Sequence, residues 1–155
     1  MKPKVIISGG GTGGHIFPAL AIADELKAQF PQASLLFVGA YNRMEMQRVP
    51  KAGYRIKGLW ISGFDRNNMM RNLLFPIKLG WSMLQAFFIV LRFRPHAVVG
   101  TGGFASGPLV FVASLLGIPT LLQEQNAFPG ATNRRLAARA SAICLGSEAA
   151  QKFFP

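Results

Sequence analysis

Acidic residues and cysteine are both scarce in this sequence. It has six Asp and Glu against 17 Lys and Arg, which gives a formal net charge of +11 at pH 7. Its single cysteine, Cys144, excludes an internal disulfide bond, and the apolar residues around it predict that it is buried in a strand. No acidic pair with metal-binding character is evident in the sequence, so we expect no metal centre and no cofactor.

A long uninterrupted apolar segment is also missing. The best candidate, residues 73–93, contains Pro76 and Lys78, and its unbroken part, residues 79–91, is shorter than the roughly 20 residues that cross a bilayer. Only three apolar residues separate Lys4 from the first glycines, so we expect no secretory signal. With 50% hydrophobic residues, the chain is predicted to form one domain with a sizeable core and an apolar surface.

Basic residues are concentrated in the middle of the chain. Within residues 43–94 the only acids are Glu45 and Asp65, and the basic residues flank the apolar segment. This pattern is typical of a protein that contacts an anionic lipid surface, but it also suits a nucleic-acid-binding module or a solubilising face. Charge is the only feature that supports the nucleic-acid alternative, so we expect no nucleic-acid partner.

The chain alternates short apolar runs with segments of helical periodicity, which predicts an α/β fold with a Rossmann-like, doubly wound parallel sheet. Uninterrupted apolar strands agree with a sheet that is covered on both faces. The predicted strands are residues 5–7, 35–39, 54–61, 97–100, 119–122 and 142–145; the predicted helices are residues 17–30, 72–93, 109–116 and 131–140.

Three polar, glycine-rich segments follow predicted strands, and each precedes a helix. They are SGGGTGGH (residues 8–15), GTGGFASGP (100–108) and QEQNAFPG (123–130). In a doubly wound sheet such segments meet at the carboxyl ends of the strands, where ligands bind. Glycines allow a ligand close to the backbone, and the N-terminus of a helix favours phosphate. The sequence therefore predicts one site for an anionic ligand.

Two side chains in these segments are candidates for acid–base chemistry. His15 lies in the predicted first turn of a helix, where a neutral imidazole can accept a proton. Glu124 lies at a strand end among amide side chains; it could act as a base, orient a histidine, bind hydroxyls or cap the following helix.

A dinucleotide-binding oxidoreductase is the alternative, because residues 9–14 formally match G-x-G-x-x-G. Such an enzyme needs an acid at the end of the second strand, and residues 35–42 contain none. The lysine of a phosphate-binding P-loop is also missing. Both absences count against the common nucleotide-binding motifs.

The motifs GGTGGHIFP, GGFASGP and IPTLLQEQNAFPGATNR together resemble the MurG family of undecaprenyl-diphospho-muramoylpentapeptide β-N-acetylglucosaminyltransferases. The resemblance extends over most of the chain. It implies that residues 1–155 are the acceptor-binding, N-terminal half of a GT-B glycosyltransferase, whose UDP-sugar-binding C-terminal domain lies outside this chain.

The family resemblance also implies a reaction. N-acetylglucosamine (GlcNAc) moves from UDP-GlcNAc to the C4 hydroxyl of lipid I, with inversion, and gives lipid II for peptidoglycan synthesis. The expected partners are UDP-GlcNAc, lipid I and an anionic membrane surface, and the expected location is peripheral, at the cytoplasmic face of the cell membrane. Alone, this chain is expected to be inactive and to bind UDP-GlcNAc weakly or not at all.

The resemblance assigns roles to residues of all three segments. His15 is the first candidate for the base and Glu124 the second. Two positions depart from the family pattern, with Phe104 in place of a tyrosine and Gln123 in place of a histidine. The implied donor contacts are Thr12, Gly13, Gly14 and Asn126; the implied acceptor-diphosphate contacts are Gly102, Gly103, Phe104, Ser106 and Gly107.

The apolar segment with its basic neighbours is predicted to dock on the membrane surface. Anionic lipid contributes about 1 kcal/mol for each nearby basic residue. About half of the apolar side chains are expected to face the core, since one face of the helix must cover the sheet. The predicted membrane patch consists of Leu74, Phe75, Ile77, Leu79, Trp81, Arg71 and Lys78.

Overall fold

The computed structural model describes residues 1–155 and contains one six-stranded, fully parallel sheet in the order β3-β2-β1-β4-β5-β6. The predicted Rossmann-like α/β fold is confirmed. The strands are β1 Lys4–Ser8, β2 Ser34–Ala40, β3 Ile56–Leu59, β4 Ala97–Gly100, β5 Thr120–Glu124 and β6 Ala142–Leu145; the helices are α1 Gly13–Gln29, α2 Glu45–Lys51, α3 Phe75–Phe93, α4 Ser106–Leu115 and α5 Ala131–Leu136.

Hydrophobic clusters cover both faces of the sheet. One cluster joins β1 and β2 to α1 and α2, through residues such as Ile16 and Val49. The other joins the sheet to α3, α4 and α5, through residues such as Val90, Leu109 and Leu136. Helices thus cover both faces of the sheet, and every strand-to-helix loop leaves it at the same edge.

The main differences from the predicted elements lie at helix N-termini. Helices α1 and α4 begin at Gly13 and Ser106, several residues before the apolar periodicity starts, because their first turns consist of glycine and polar residues. Helix α2 was not predicted at all. Strand β3 is shorter than predicted, and α5 ends at Leu136 and continues as a 3₁₀ turn, Ala137–Arg139.

The prediction that Cys144 is buried is wrong, because Cys144 is exposed. Strand β6 lies at the edge of the sheet and pairs only with β5. Its residues alternate between exposed and half-buried, so the apolar run 142–145 lacks the two-sided cover of the central strands.

Helix α3 and the 3₁₀ turn before it form a helical segment, Met69–Phe93, that is long and apolar enough to cross a membrane. By length and mean hydropathy alone, the expectation that this segment is too short to cross a bilayer is therefore not met. In the fold, however, Ala86 and Val90 of this helix are buried in the core cluster that covers the sheet. A helix that crossed the bilayer would withdraw these two residues from the core cluster.

Candidate functional site

The three polar segments lie together at the carboxyl edge of the sheet, as the sequence predicts. They follow β1, β4 and β5, which are adjacent strands. The hydroxyl of Thr101, at the end of β4, donates a hydrogen bond to the backbone oxygen of His15 at 2.6 Å. The side-chain amide of Gln125, after β5, donates to the backbone oxygen of Gly14 at 2.6 Å. The loops after β4 and β5 are therefore both bonded directly to the start of α1.

Pro18 explains why the Gly14 oxygen is available for Gln125. In an α-helix the carbonyl of residue 14 accepts a hydrogen bond from the backbone N–H of residue 18. Pro18 has no N–H, so the Gly14 carbonyl loses its helical partner. The Gln125 amide supplies the missing donor from another loop.

Glycine is required where the loops after β1 and β4 touch. Gly102 and Gly103 have φ angles of +105° and +85°, which side chains rarely adopt. A Cβ on Gly102 would lie 2.7 Å from Cδ2 of His15, and a Cβ on Gly103 would clash with the backbone oxygen of Gly10. The second glycine loop therefore packs directly on the histidine.

His15 is half-buried, and its ring is held from one side. The Nδ1 atom lies 3.2 Å from the backbone oxygen of Gly10 and 3.1 Å from the hydroxyl of Thr12. Because a carbonyl oxygen can only accept, we assign the Nδ1 proton to the bond with Gly10. The Nε2 atom then carries the free lone pair, which suits a proton acceptor.

The N-terminus of α1 presents free donors beside this ring. The backbone N–H groups of His15 and Ile16 bond to the carbonyl of Thr12, whereas those of Gly13 and Gly14 have no acceptor in the protein. Unpaired N–H groups at a helix start, together with the helix dipole, favour a bound phosphate. Thr12 is exposed at the same point.

Glu124 is only 2% exposed, and both of its carboxylate oxygens are occupied by donors. Oε1 accepts from the backbone N–H and the side-chain amide of Asn126, each at 3.0 Å. Oε2 accepts from the side-chain amide of Asn133 at 3.0 Å and from the backbone N–H of Gly130 at 3.3 Å. This geometry fixes the third loop and holds Asn126, which is exposed, at the rim of the site.

Sequence reasoning missed Gln125, in the third segment, and Asn133, in the helix α5 that follows it. Asn133 is 1% exposed and donates to Glu124 and to the backbone oxygen of Gln123. The side-chain oxygens of Gln123, Gln125 and Asn133 are buried without a hydrogen-bond partner. The amide side chains before and after Glu124 could have identified Gln125 as a site residue. Asn133 lies within a helix, and the sequence does not show that it is buried.

Glu45 is a third missed residue and lies beneath the first glycine loop. It is fully buried, and its carboxylate accepts hydrogen bonds from the backbone N–H groups of Gly11 at 3.1 Å and Ala40 at 2.9 Å. A Cβ on Gly10 or Gly39 would collide with this side chain. Glu45 thus joins the loop after β1 to the end of β2.

The predicted residues of the second glycine loop are not equally accessible. Gly102 and Ser106 are buried, and the hydroxyl of Ser106 donates to the backbone oxygen of Gly103 at 2.9 Å. Gly103, Phe104 and Gly107 are half-buried. A Cβ on Gly11 would lie 3.1 Å from the Phe104 ring. The guanidinium of Arg43 lies 5.4 Å from the centroid of the same ring.

Most of the predicted membrane patch is exposed, on α3 or in the residues just before it. Only Ser82, Ala86 and Val90 are buried in this helix, so the expectation that half of the patch faces the core is wrong. The exposed apolar surface continues further than predicted. We define the α3 stripe as Leu74, Ile77, Trp81, Leu84, Phe88 and Leu91, which are all exposed.

The two basic residues of the predicted patch are engaged with the protein. Nζ of Lys78 lies 3.3 Å from the hydroxyl of Ser62 and 5.6 Å from the Trp60 ring centroid. The guanidinium of Arg71 lies 3.6 Å from the carboxylate of Asp65. The Arg71 side chain is nevertheless 76% exposed, so Arg71 and the apolar side chains are both available at this surface.

Comparison with known proteins agrees with this geometry. Residues 5–145 match the glycosyltransferase family 28 N-terminal domain. The chain is 57% identical over 152 residues to the UDP-N-acetylglucosamine--N-acetylmuramyl-(pentapeptide) pyrophosphoryl-undecaprenol N-acetylglucosamine transferase of Christiangramia forsetii, covering 98% of this chain and 42% of the relative. It is 56% identical to the protein of the same name from Flavobacterium psychrophilum, covering 98% and 41%.

A solved structure gives the same result. The crystal structure of Acinetobacter baumannii MurG superposes with a TM-score of 0.85 at 33% identity, covering 99% of this chain and 43% of that one. The resemblance to the MurG family is thereby confirmed. The chain spans about two fifths of the length of the relatives it matches.

The oxidoreductase alternative is wrong, and the structure gives the physical reason. Strand β2 ends at Ala40 and is followed by Tyr41 and Asn42, so no acid is present to bind the ribose of a dinucleotide. The next acid, Glu45, is buried and already bonded to backbone N–H groups. From its sheet, its converging loops and the family match, the chain belongs to the glycosyltransferase family 28 N-terminal domains.

Proposed function

We propose that this chain is the acceptor-binding half of an inverting glycosyltransferase that moves GlcNAc from UDP-GlcNAc to the C4 hydroxyl of lipid I. The observation that carries the proposal is the convergence of the three polar loops around His15. The names of the relatives supply the donor and the acceptor class. A second, UDP-sugar-binding domain is part of the proposal, in line with the share of the relatives' length that this chain spans.

In the proposed reaction His15 is the general base. Inversion requires one displacement: the acceptor oxygen forms a bond to C1 of GlcNAc while the bond from C1 to the UDP phosphate breaks. Nε2 of His15 takes the hydroxyl proton as this occurs, and Nδ1 keeps the ring in place through Gly10. The free N–H groups of Gly13 and Gly14 stabilise the negative charge on the leaving diphosphate.

Glu124 has a different role in this proposal. Its oxygens are bonded to Asn126, Gly130 and Asn133, so it positions the third loop and presents Asn126 to the donor sugar. As second candidate for the base, Glu124 would first have to give up these hydrogen bonds.

The second glycine loop is assigned to the acceptor diphosphate. Gly103, Phe104 and Gly107 are its accessible members, while Gly102 and Ser106 support the loop from inside. Phe104 has no hydroxyl, so it contributes packing and no hydrogen bond to the acceptor.

We also propose that the enzyme works while peripherally bound to the cytoplasmic face of the membrane, where a lipid-linked acceptor is found. The α3 stripe supplies an apolar contact, and the net charge of +11 favours an anionic surface.

A chimera tests the function. Residues 1–155 are joined to the remaining C-terminal part of the Christiangramia forsetii relative, and transfer of labelled GlcNAc to a lipid I analogue is measured. Replacing His15 by Gln should lower kcat about 10²–10⁴-fold with little change in KM, because Gln cannot accept the proton. His96→Gln is the matched control, since His96 accepts a hydrogen bond from the backbone N–H of Lys4 at the opposite end of the sheet.

Glu124→Gln separates the two candidates. In our assignment it raises KM for UDP-GlcNAc more than it lowers kcat, because Asn126 is displaced. If Glu124→Gln abolished turnover while His15→Gln retained it, the base would be Glu124. If the unmodified chimera transferred no sugar to the lipid acceptor, the proposed function would be wrong.

A further inference from the structure

An apolar cleft of about 810 Å³ opens beside the second glycine loop, and the proposed reaction assigns no role to its walls beyond Phe104 and Gly107 of that loop. Its volume lies within the roughly 300–1,000 Å³ of small-molecule sites. Helix α3 forms one wall through Phe75, Leu79 and Met83, which are spaced four residues apart. Helices α4 and α5 form the other wall, with side chains that include Phe111 and Leu136.

One end of the cleft adjoins the candidate site. Phe104 and Gly107 of the second glycine loop belong to the lining. The Phe104 ring also packs on the first glycine loop at Gly11. A ligand in the cleft thus reaches the loops around His15 without crossing another structural element.

Two arginines give the cleft a positive charge. Arg66 and Arg135 line it, both are exposed, and neither forms an ion pair, because the one salt bridge in the structure joins Arg71 to Asp65. No acidic residue lines the cleft. An apolar channel with unpaired guanidinium groups is complementary to a ligand that has an anionic head and a hydrocarbon chain.

The other face of α3 connects the cleft to the membrane-facing surface. Phe75 and Leu79 line the cleft, whereas Ile77 and Trp81 belong to the α3 stripe. A hydrocarbon chain leaving the cleft along α3 therefore meets an apolar surface. The predicted membrane patch combines these two surfaces.

We propose that the cleft binds the isoprenoid segment next to the diphosphate of the acceptor lipid, with Arg66 and Arg135 on the diphosphate. This inference rests on the proposed function for the identity of the lipid. The cleft is then a second site that recognises the acceptor. Through it the enzyme distinguishes a polyprenyl diphosphate from a soluble sugar diphosphate, because only the polyprenyl diphosphate has isoprene units to bind there.

Calorimetry of the 155-residue chain with short probes tests the cleft without a membrane. The probes are farnesyl diphosphate, geranyl diphosphate and inorganic diphosphate, in buffer without lipid or detergent. We expect affinity to rise about tenfold or more from inorganic diphosphate to geranyl diphosphate, and again to farnesyl diphosphate, because each isoprene unit buries further apolar area.

Two matched pairs of variants locate the binding. Leu79→Gln should weaken farnesyl diphosphate about tenfold and leave inorganic diphosphate unchanged. Leu116→Gln, similarly exposed but outside the cleft and the α3 stripe, should change neither. Arg135→Gln should weaken every probe, whereas Arg134→Gln, whose guanidinium packs on Phe128, should not.

Affinity that does not depend on chain length would overturn the inference, and so would equal effects of Leu79→Gln and Leu116→Gln. These results are distinct from failure of the proposed function. If the chimera transfers sugar while farnesyl diphosphate binds no better than inorganic diphosphate, only the cleft assignment falls. If the chimera is inactive while the chain-length and Leu79 effects hold, the transferase assignment falls and the isoprenoid site stands.

Discussion

The side-chain amide of Gln125 donates to the backbone oxygen of Gly14 at 2.6 Å across 111 residues of sequence. Pro18 makes this bond possible, because it cannot donate to the same oxygen within α1. Gly14 also carries one of the free N–H groups assigned to the donor diphosphate. The hydrogen bond therefore fixes the distance between the first and the third loop.

Pro18 and Gln125 should be energetically coupled. Gln125→Ala removes the donor and is expected to lower the free energy of unfolding by about 1 kcal/mol. In a Pro18→Ala background the backbone N–H of residue 18 satisfies the Gly14 oxygen, so the same Gln125→Ala change should cost much less. Urea unfolding of the four proteins in a double-mutant cycle measures the difference. Strictly additive effects would show that the two residues do not share the Gly14 oxygen.

Glu45 should be essential for the shape of the first glycine loop. Glu45→Gln keeps the size of the side chain but places an NH₂ group against one of two backbone N–H groups, which leaves a buried donor unpaired. We expect a loss of roughly 1–3 kcal/mol in the free energy of unfolding. Glu148→Gln is the control, because Glu148 is exposed and forms no side-chain hydrogen bond. If both variants unfolded at the same urea concentration as the parent, Glu45 would not hold the loop.

Tyr54 gives the stability of the fold a dependence on alkaline pH. Burial and a 2.6 Å hydrogen bond to Asp24 raise the pKa of Tyr54 from 10.0 to about 12. The folded protein keeps this proton at pH values where the unfolded chain has released it. The stabilisation is complete below pH 10 and is lost as pH rises through the folded-state pKa of about 12.

Ultraviolet titration of tyrosinate measures this directly, since Tyr41 and Tyr54 are the only two tyrosines. Tyr54→Phe should remove the late ionisation step, and Tyr41→Phe should retain it. Asp24→Asn should move the late step to lower pH. If that step stayed in place in Asp24→Asn, the hydrogen bond to Asp24 would not contribute to the raised pKa.

Membrane binding should depend on the α3 stripe more than on its basic neighbours. Ile77→Glu combined with Trp81→Glu is expected to weaken binding to anionic vesicles at least about tenfold, since two exposed apolar side chains are lost. Arg71→Glu combined with Lys78→Glu should weaken it less, because Lys78 is already engaged by Ser62 and Trp60, which leaves Arg71 as the one freely exposed cation of the pair.

Leu115→Glu is the control for this prediction, because Leu115 is an exposed apolar residue at the end of α4. Sedimentation with vesicles of defined anionic-lipid content gives the affinities. Equal binding by the Ile77/Trp81 variant and the parent would mean that α3 is not the docking surface.

The sequence was sufficient to predict the features that depend on local pattern. Strands β4 and β6 match their predicted bounds because each is a short apolar run between turn residues. The meeting of the three loops follows from the general rule that parallel strands end at one edge.

Features that depend on distant partners were not predictable. Glu45 and Asn133 are buried because of backbone groups in other segments. The exposure of Cys144 follows from the position of β6 in the sheet order, and the exposure of Phe88 from how little of α3 the sheet and α4 cover.

The central claim is that the three loops form one binding site around His15. Backbone-amide NMR of the 155-residue chain, titrated with a soluble short-chain lipid I analogue, tests it most directly. We predict that the signals of His15, Gly103 and Gln125, one in each loop, shift together with one dissociation constant, and that UDP-GlcNAc alone causes weak shifts or none at the donor contacts Gly13 and Asn126. Shifts confined to one loop, or separate dissociation constants for the three loops, would contradict the account.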